Sequence, residues 1–547
     1  MIKKDSLLKG TLILAAAALV ARFLGLFQRI PMDYMLGEDG GISFSLANNL
    51  YLWLLVIATG GIPSAISKMV SERHALGRAG EAQRIYRAAL VFGAVTGLLL
   101  SVILYVLAPW YSSYVAKIDI ASSSIRAIAP ALLLFPIIAM MRGYFQGRQM
   151  MSAGGISQII EQVMRVIVGI GLALFVLNWG WGDRWVAAAV SFGSVFGSIG
   201  ALAVMLYYGH KLSRQDAAEV KAGSIRFEKS TIPFRKIYGE IFSMSIPIVV
   251  TAMTVNLMYL FDTSLFMRLT EGFYTSDAVA KLFNDAYSVK AIALAGIPPI
   301  LAIALSQSII PAISAAHSVG NVKEVQRQAS LVMRIVVFTG VPIALLLTVA
   351  ATSATGFLFP NTTGSGLVAA LTAGTIFQIT MMTSNSILFG LGKARLPMRH
   401  TLLGFAIKVA GSLALAPLMG AYGLIAASTL CFLAISWLNL RAIRRGVALN
   451  VLGTRWPAYL LTIAVASAAG FGTDYGLRSL LSAWPDKLTY LIAGGLTALV
   501  VGALYVGLLI VLRVITPQDI QSFPGPLRKL FGKVMRLIPG GSRQASS

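Results

Sequence analysis

Residues 7–36, LLKGTLILAAAALVARFLGLFQRIPMDYML, read as a first membrane helix that carries charge inside its apolar run. Arg22 and Arg29 are seven residues apart, two helical turns or roughly 10 Å along one face, and Asp33 follows four residues later on that face. An arginine near mid-bilayer costs at least about 2.5 kcal/mol on insertion scales, so it is expected to face a watery cavity or a partner. Pro31 is expected to kink the helix. The charges also separate by depth. Counted inward from a cytoplasmic N-terminus at about 1.5 Å per residue, Arg22 lies roughly 20 Å in, past the midplane, whereas Arg29 and Asp33 approach the outer surface.

The rest of the chain has the same character. Of 547 residues 57% are hydrophobic and 12% charged, and mean hydropathy is +0.77, outside the soluble range. A net charge of +24 would suit nucleic acid, but Lys and Arg cluster in short loops between apolar segments, as in the cytoplasmic loops of a membrane protein, so no nucleic-acid partner is expected. The single cysteine, Cys431, lies inside an apolar run, which leaves neither an intrachain disulfide nor a cysteine metal cluster. Residues 1–21 resemble a signal peptide, yet the apolar pattern runs on past Arg22 to Pro31, so an uncleaved first span is expected.

An all-α polytopic fold of fourteen spans is expected, at about 8–31, 44–70, 86–112, 124–146, 154–179, 185–209, 237–266, 281–314, 330–357, 366–391, 398–419, 421–441, 456–481 and 488–514. Loops after even-numbered spans are basic, with Arg73, Arg78, Arg84 and Arg87 after the second and Arg441, Arg444, Arg445 and Arg455 after the twelfth. Loops after odd-numbered spans instead carry Glu38 and Asp39, Lys117 with Asp119, Asp183 with Arg184, Glu271 and Asp277, no charge around Pro360, and Asp486 with Lys487. The positive-inside rule then places both termini in the cytoplasm. The tail over 516–547, with Arg528, Lys529, Lys533 and Arg536 among apolar residues, suits either a helix on anionic membrane lipids or a solvated end.

The chain repeats itself. Glu81-Ala82-Gln83-Arg84 recurs as Glu324-Val325-Gln326-Arg327, Thr96-Gly97 as Thr339-Gly340 and Arg165-Val166 as Lys408-Val409, each at an offset of 243 residues. A repeat of six spans is even, so both copies enter the membrane in the same direction and form two parallel lobes. The expected division is an N-lobe over 1–210, a basic linker over 211–236, a C-lobe over 237–445, two further spans over 446–515 and the tail. Transporters of this design bind substrate between lobes and rock one against the other.

The first helices of each lobe carry the unusual polar groups: Arg22, Arg29, Asp33, Asn48 and Asn49 in one, and Asn256, Asp262, Arg268, Asn284, Asp285 and Lys290 in the other. Arg22, Arg29 and Lys290, with Asn48 and Asn49, are the candidate substrate contacts. Asp33, Asp262, Arg268 and Asp285 are the candidate gate or coupling groups. Asp262 also suits a local pairing with Arg268, and Glu161 with Arg165 an i,i+4 pair. Pro298-Pro299, with Gly296 before it, should interrupt span eight. All four histidines fall in predicted cytoplasmic loops or helix ends, and no G-x-x-x-x-G-K-[ST] loop is present, so an enzyme, a metal site, a cofactor and direct use of ATP are not expected. A cationic cleft implies an anionic substrate, and guanidinium matches phosphate in two-pronged fashion.

Ala21 to Pro31 (ARFLGLFQRIP), Asn48 to Tyr51 (NNLY) and Gly60 to Glu72 (GGIPSAISKMVSE) resemble the multidrug/oligosaccharidyl-lipid/polysaccharide (MOP) flippase superfamily, in particular its polysaccharide-biosynthesis branch, which includes Gram-positive lipid II flippases and a sporulation protein. The resemblance implies a polyprenyl-pyrophosphate-linked saccharide as substrate, with lipid II first among candidates. The head group would pass through the inter-lobe cavity and the lipid tail along a groove near spans 13 and 14, in a monomer that needs no cofactor. Another undecaprenyl-linked polysaccharide, a spore-cortex precursor, and a drug/cation antiporter of the same superfamily are the alternatives. A Gram-negative branch carries two arginines in span one. Arg22 matches the first, whereas Gln28 stands at the second position and Arg29 one residue later.

Overall fold

The computed structural model describes residues 17, 20–21, 24–25, 27–221, 232–300, 310, 313–314, 316–317 and 320–515. These residues form helices and connecting turns, with no strand among them. The chain continues as a helix over 27–35 (α1), then Glu38–Thr59 (α2), Ile62–Ala75 (α3), Ala79–Trp110 (α4), Ala121–Gly147 (α5), Met151–Asn178 (α6) and Asp183–Lys221 (α7). Phe234–Ala252 (α8), Thr254–Leu269 (α9), Asp277–Asp285 (α10) and Ile292–Ala295 (α11) follow. The last part comprises Val322–Val349 (α12), Ala351–Leu358 (α13), Ser365–Gly390 (α14), Arg395–Met419 (α15), Ala421–Arg444 (α16), Trp456–Leu480 (α17) and Asp486–Val511 (α18).

Eleven stretches of the described helices are long and apolar enough to cross a membrane, and the pair Ser245–Ala252 and Thr254–Leu269, bent by 42°, makes a twelfth. These twelve match expected spans two to seven and nine to fourteen. Spans one and eight run into residues outside the described set, as do Arg22 and the basic tail. Where span eight is described it is broken: α10 passes into a π-helix, Ala286–Ala291, and α11 stops at Gly296, just before Pro298-Pro299. The prolines withhold two N–H donors, so the ladder cannot continue. In the α8–α9 bend, the Thr251 hydroxyl donates to the Pro247 carbonyl (3.1 Å) and Thr254 to the Thr251 carbonyl (2.8 Å), buried side-chain bonds to the backbone inside an apolar span.

The chain divides into two compact units. The first combines the described residues up to Val289 with Ala394–Ala427, and the second Lys290–Lys393 with the described residues from Ser428. Within the first, helices approach through small residues, since lipid offers no hydrophobic drive and close van der Waals contact must serve instead. A Cβ on Gly193 of α7 would lie 2.5 Å from the Gly169 Cα of α6, and one on Gly143 of α5 would lie 2.7 Å from the Pro63 carbonyl of α3. Gly61, at φ +71°, turns the chain between α2 and α3, inside the stretch expected as the second span. Outward, α4 presents Leu98, Leu99, Val102 and Val106, the surface expected against acyl chains. Exposed Trp179, Trp181 and Trp185 cluster edge to face at the α6–α7 turn, an interfacial aromatic belt. In the second unit, α12, α17 and α18 enclose Phe338, Tyr459 and Tyr505, and the Tyr459 hydroxyl donates to the Val337 carbonyl at 2.9 Å. Cys431 is buried in this unit's apolar interior, as its sequence context implied.

Candidate functional site

Two adjacent asparagines set the polar interior of the first unit. Successive helical residues point about 100° apart, so Asn48 and Asn49 of α2 meet different neighbours. Asn48 Oδ1 accepts from Arg165 Nη2 of α6 at 2.7 Å, and the Arg165 guanidinium lies 5.7 Å from the ring centre of Tyr51, one turn along α2. Asn49 donates to the Thr263 hydroxyl of α9 at 3.5 Å. Arg165 Nε is buried without a hydrogen-bond partner among the described residues. The expected Glu161–Arg165 pair is not how these groups are held: Glu161 takes Arg142 of α5 at 2.9 Å, and Ser157 accepts from the same guanidinium at 2.8 Å. A tie to another helix replaces the surface pair because both side chains face protein rather than water.

Arg29 of α1 is half-buried, and its Nη1 donates to the carbonyls of Ser288 (3.1 Å) and Val289 (3.4 Å), within the π-helix. Such π-turns recur at functional positions. Its neighbour Gln28 is buried against Gly169, so the position aligned with the second family arginine is here a helix-packing group. Asp33 stands half-buried near the end of α1.

Asp262 of α9 departs from its expected local pairing. Its Oδ2 accepts from the Tyr287 hydroxyl at 2.6 Å and its Oδ1 lies 2.5 Å from Lys408 Nζ of α15, with both charged side chains fully buried. Lys408 also donates to the Leu424 carbonyl of α16 at 2.9 Å. Six helical residues place Arg268 on a different face from Asp262, and Arg268 instead donates to the Tyr114 carbonyl at an exposed helix end. Asp285 packs on Gly41, where an added Cβ would lie 2.5 Å from its Oδ1. In the second unit Lys290 is 2% exposed and donates to Asn361 Oδ1 at 2.7 Å.

Arg29, Arg165 and Lys290 are therefore cations whose observed acceptors are carbonyl or amide oxygens, while Arg142 and Lys408 meet carboxylates. Neutral acceptors leave the positive charge uncompensated at low dielectric, ready for an anion. Sequence spacing singled out Arg29 and Lys290. It missed the roles of Arg165 and Lys408, although their repeat equivalence, 243 residues apart, already marked them. Tyr287 and Arg142 gave no signal of their own. No group of three or more His, Cys, Asp or Glu side chains suited to a metal occurs among the described residues.

An all-α bundle of membrane spans with fixed cations among its helices is the class that this fold and interior define. The chain belongs to the polysaccharide biosynthesis protein family, whose model matches residues 7–317. It is 26% identical over 518 residues to the lipid II flippase MurJ of Bacillus subtilis (strain 168), covering 92% of this chain and 94% of that protein. Stage V sporulation protein B of the same organism is 24% identical over 525 residues, covering 95% and 98%. A solved lipid II flippase MurJ in an inward closed conformation superposes with a TM-score of 0.62 at 13% identity, over 91% of this chain and 100% of that one. The motifs that pointed to the superfamily thus led to the right family and fold.

Proposed function

We propose that the protein is a flippase that carries a polyprenyl-pyrophosphate-linked cell-wall precursor, lipid II in the first instance, from the cytoplasmic to the outer leaflet of the bacterial cell membrane. The reading rests on one observation: Arg29 and Arg165 are buried or half-buried guanidinium groups held by neutral oxygens. A diphosphate offers such groups charge-assisted, two-pronged bonds, roughly twice as strong as those to neutral acceptors, so it displaces the carbonyl and amide partners. Arg22, at the motif position of the family's first arginine, is assigned the deepest contact, and Lys290 a further one. Asn48 and Asn49 orient the head group. Asp33, Asp262, Arg268 and Asp285 are gate or coupling groups. The six-span lobes work by alternating access, the last two spans guide the lipid tail, both termini are cytoplasmic and the unit is a monomer. Bond-making chemistry forms no part of the cycle.

The pairing of Asp262 with Lys408 and of Glu161 with Arg142 disfavours a drug/cation antiporter, because these acids are already neutralised. Similarity to a sporulation protein along nearly its whole length supports a second substrate, a spore-cortex precursor carried by the same diphosphate chemistry.

The deciding experiment is translocation in proteoliposomes of a fluorescent lipid II analogue, with an undecaprenyl-linked glycan lacking the peptide as competitor. Saturable lipid II flipping resistant to the competitor supports the first reading, equal competition supports the broader one, and transport of organic cations without lipid flipping overturns both.

A further inference from the structure

A stripe of cations on α12 has no part in the mechanism above. Lys323, Arg327, Ser330 and Arg334 fall at i, i+4, i+7 and i+11, one face of the helix, where they line a cavity of about 590 Å³. Its far wall is the loop before α17. The Arg334 guanidinium donates to the carbonyls of Asn450 (2.9 Å) and Val451 (2.7 Å), and the Asn450 N–H donates to the Ser330 hydroxyl at 3.1 Å, so this wall is fixed in place. Leu331 faces the same cavity and packs on the apolar cluster of Leu452, Tyr459 and Tyr505. The nearby acid is Glu324, which pairs with Arg327 at 3.1 Å in an exposed i,i+3 contact of the kind that contributes little.

The cavity has the size of a small-ligand site, carries three cations without an acid in its lining, and runs from exposed Arg327 to half-buried Leu331, its one apolar lining side chain. Charge bias in the loops puts it at the cytoplasmic surface of the membrane. We propose that it is a binding site for the headgroup phosphate of an anionic phospholipid of that leaflet. The phosphodiester sits between Lys323, Arg327 and Arg334, and an acyl chain lies along Leu331. A soluble anion would gain from the cations alone, whereas a lipid also uses Leu331.

The test uses the full chain extracted from bilayers of phosphatidylcholine with a minor fraction of phosphatidylglycerol, the retained lipids being counted by native mass spectrometry. K323Q/R327Q should reduce phosphatidylglycerol retention by roughly tenfold or more, since each basic group near a membrane surface contributes measurably to anionic-lipid attraction. K68Q/R78Q removes the same charge from exposed positions on the same predicted surface and should leave retention unchanged. Equal retention by both variants and the parent, or an equal loss in both, overturns the site. Displacement of phosphatidylglycerol by an equal mole fraction of polyprenyl diphosphate overturns the phospholipid assignment in favour of the transported lipid. The readout is lipid occupancy, so it fails or succeeds independently of flipping.

Discussion

At the scale of single residues, the buried charges divide into those with a carboxylate partner and those without, and the two groups should respond differently to mutation. Lys408→Met strands Asp262 in a fully buried position, where an uncompensated charge typically costs about 3–5 kcal/mol. Thermal unfolding in detergent should therefore shift strongly downward, and Asp262→Leu/Lys408→Met should recover most of the loss; a double variant as unstable as the single one would refute the pairing. Arg165→Gln removes a cation whose observed acceptor is the neutral Asn48, so stability should change little while lipid II flipping falls by about tenfold or more. The family motif and the depth count further predict that Arg22→Ala impairs flipping more than Arg29→Ala, measured in the same proteoliposomes. Part of this division was legible in the sequence. An arginine or lysine inside an apolar run stands out in any chain, which exposed Arg29 and Lys290. Partner choice was hidden, because spacing shows only neighbours along one helix, whereas Asp262 reaches Lys408 across 146 positions of chain.

At the scale of helices, function depends on close crossings that glycine permits. The α6–α7 crossing matters most, because Arg165 rides on α6 and its carbonyl is one of the atoms nearest to Gly193. A Cβ there would meet the Gly169 Cα at 2.5 Å and the Arg165 carbonyl oxygen at 2.7 Å, both backbone atoms with no rotamer to relieve the clash. Gly193→Ala should thus cost about 1–3 kcal/mol of stability and weaken the Arg165–Asn48 contact, lowering flipping as well. Gly171→Ala, on the facing helix α6, is the control: nothing lies within 4 Å of its added Cβ, so the change should be neutral or slightly stabilising in the same unfolding and flipping assays. Comparable losses for both variants would show that the close crossing does not set the effect. The spans themselves were readable because a bilayer demands long apolar helices with satisfied backbones. Their internal breaks were only partly readable: Pro298-Pro299 announced one, but the π-helix at Ala286–Ala291 follows no residue preference visible in the sequence.

At the scale of the whole molecule, the proposed flippase cycle predicts that transport responds to the electric field across the membrane. With the interior negative, each net negative charge carried outward gains about 2.3 kcal/mol per 100 mV if it crosses the full potential. A diphosphate head group that outweighs its cationic ligands therefore moves outward with the field. Once it leaves, Arg29 and Arg165 remain positive, and their return toward the negative interior is favoured by the same sign. Both halves of the cycle then run faster with the interior negative and slower when the potential is reversed. Arg29→Gln/Arg165→Gln reduces the charge on the returning limb, so whatever flipping survives should respond less steeply to potential than that of the parent. Proteoliposomes carrying a potassium diffusion potential of either sign measure this directly. A parental rate indifferent to sign would mean that the two limbs carry no net charge, and the potential-driven cycle would have to be abandoned even if the flippase assignment survived.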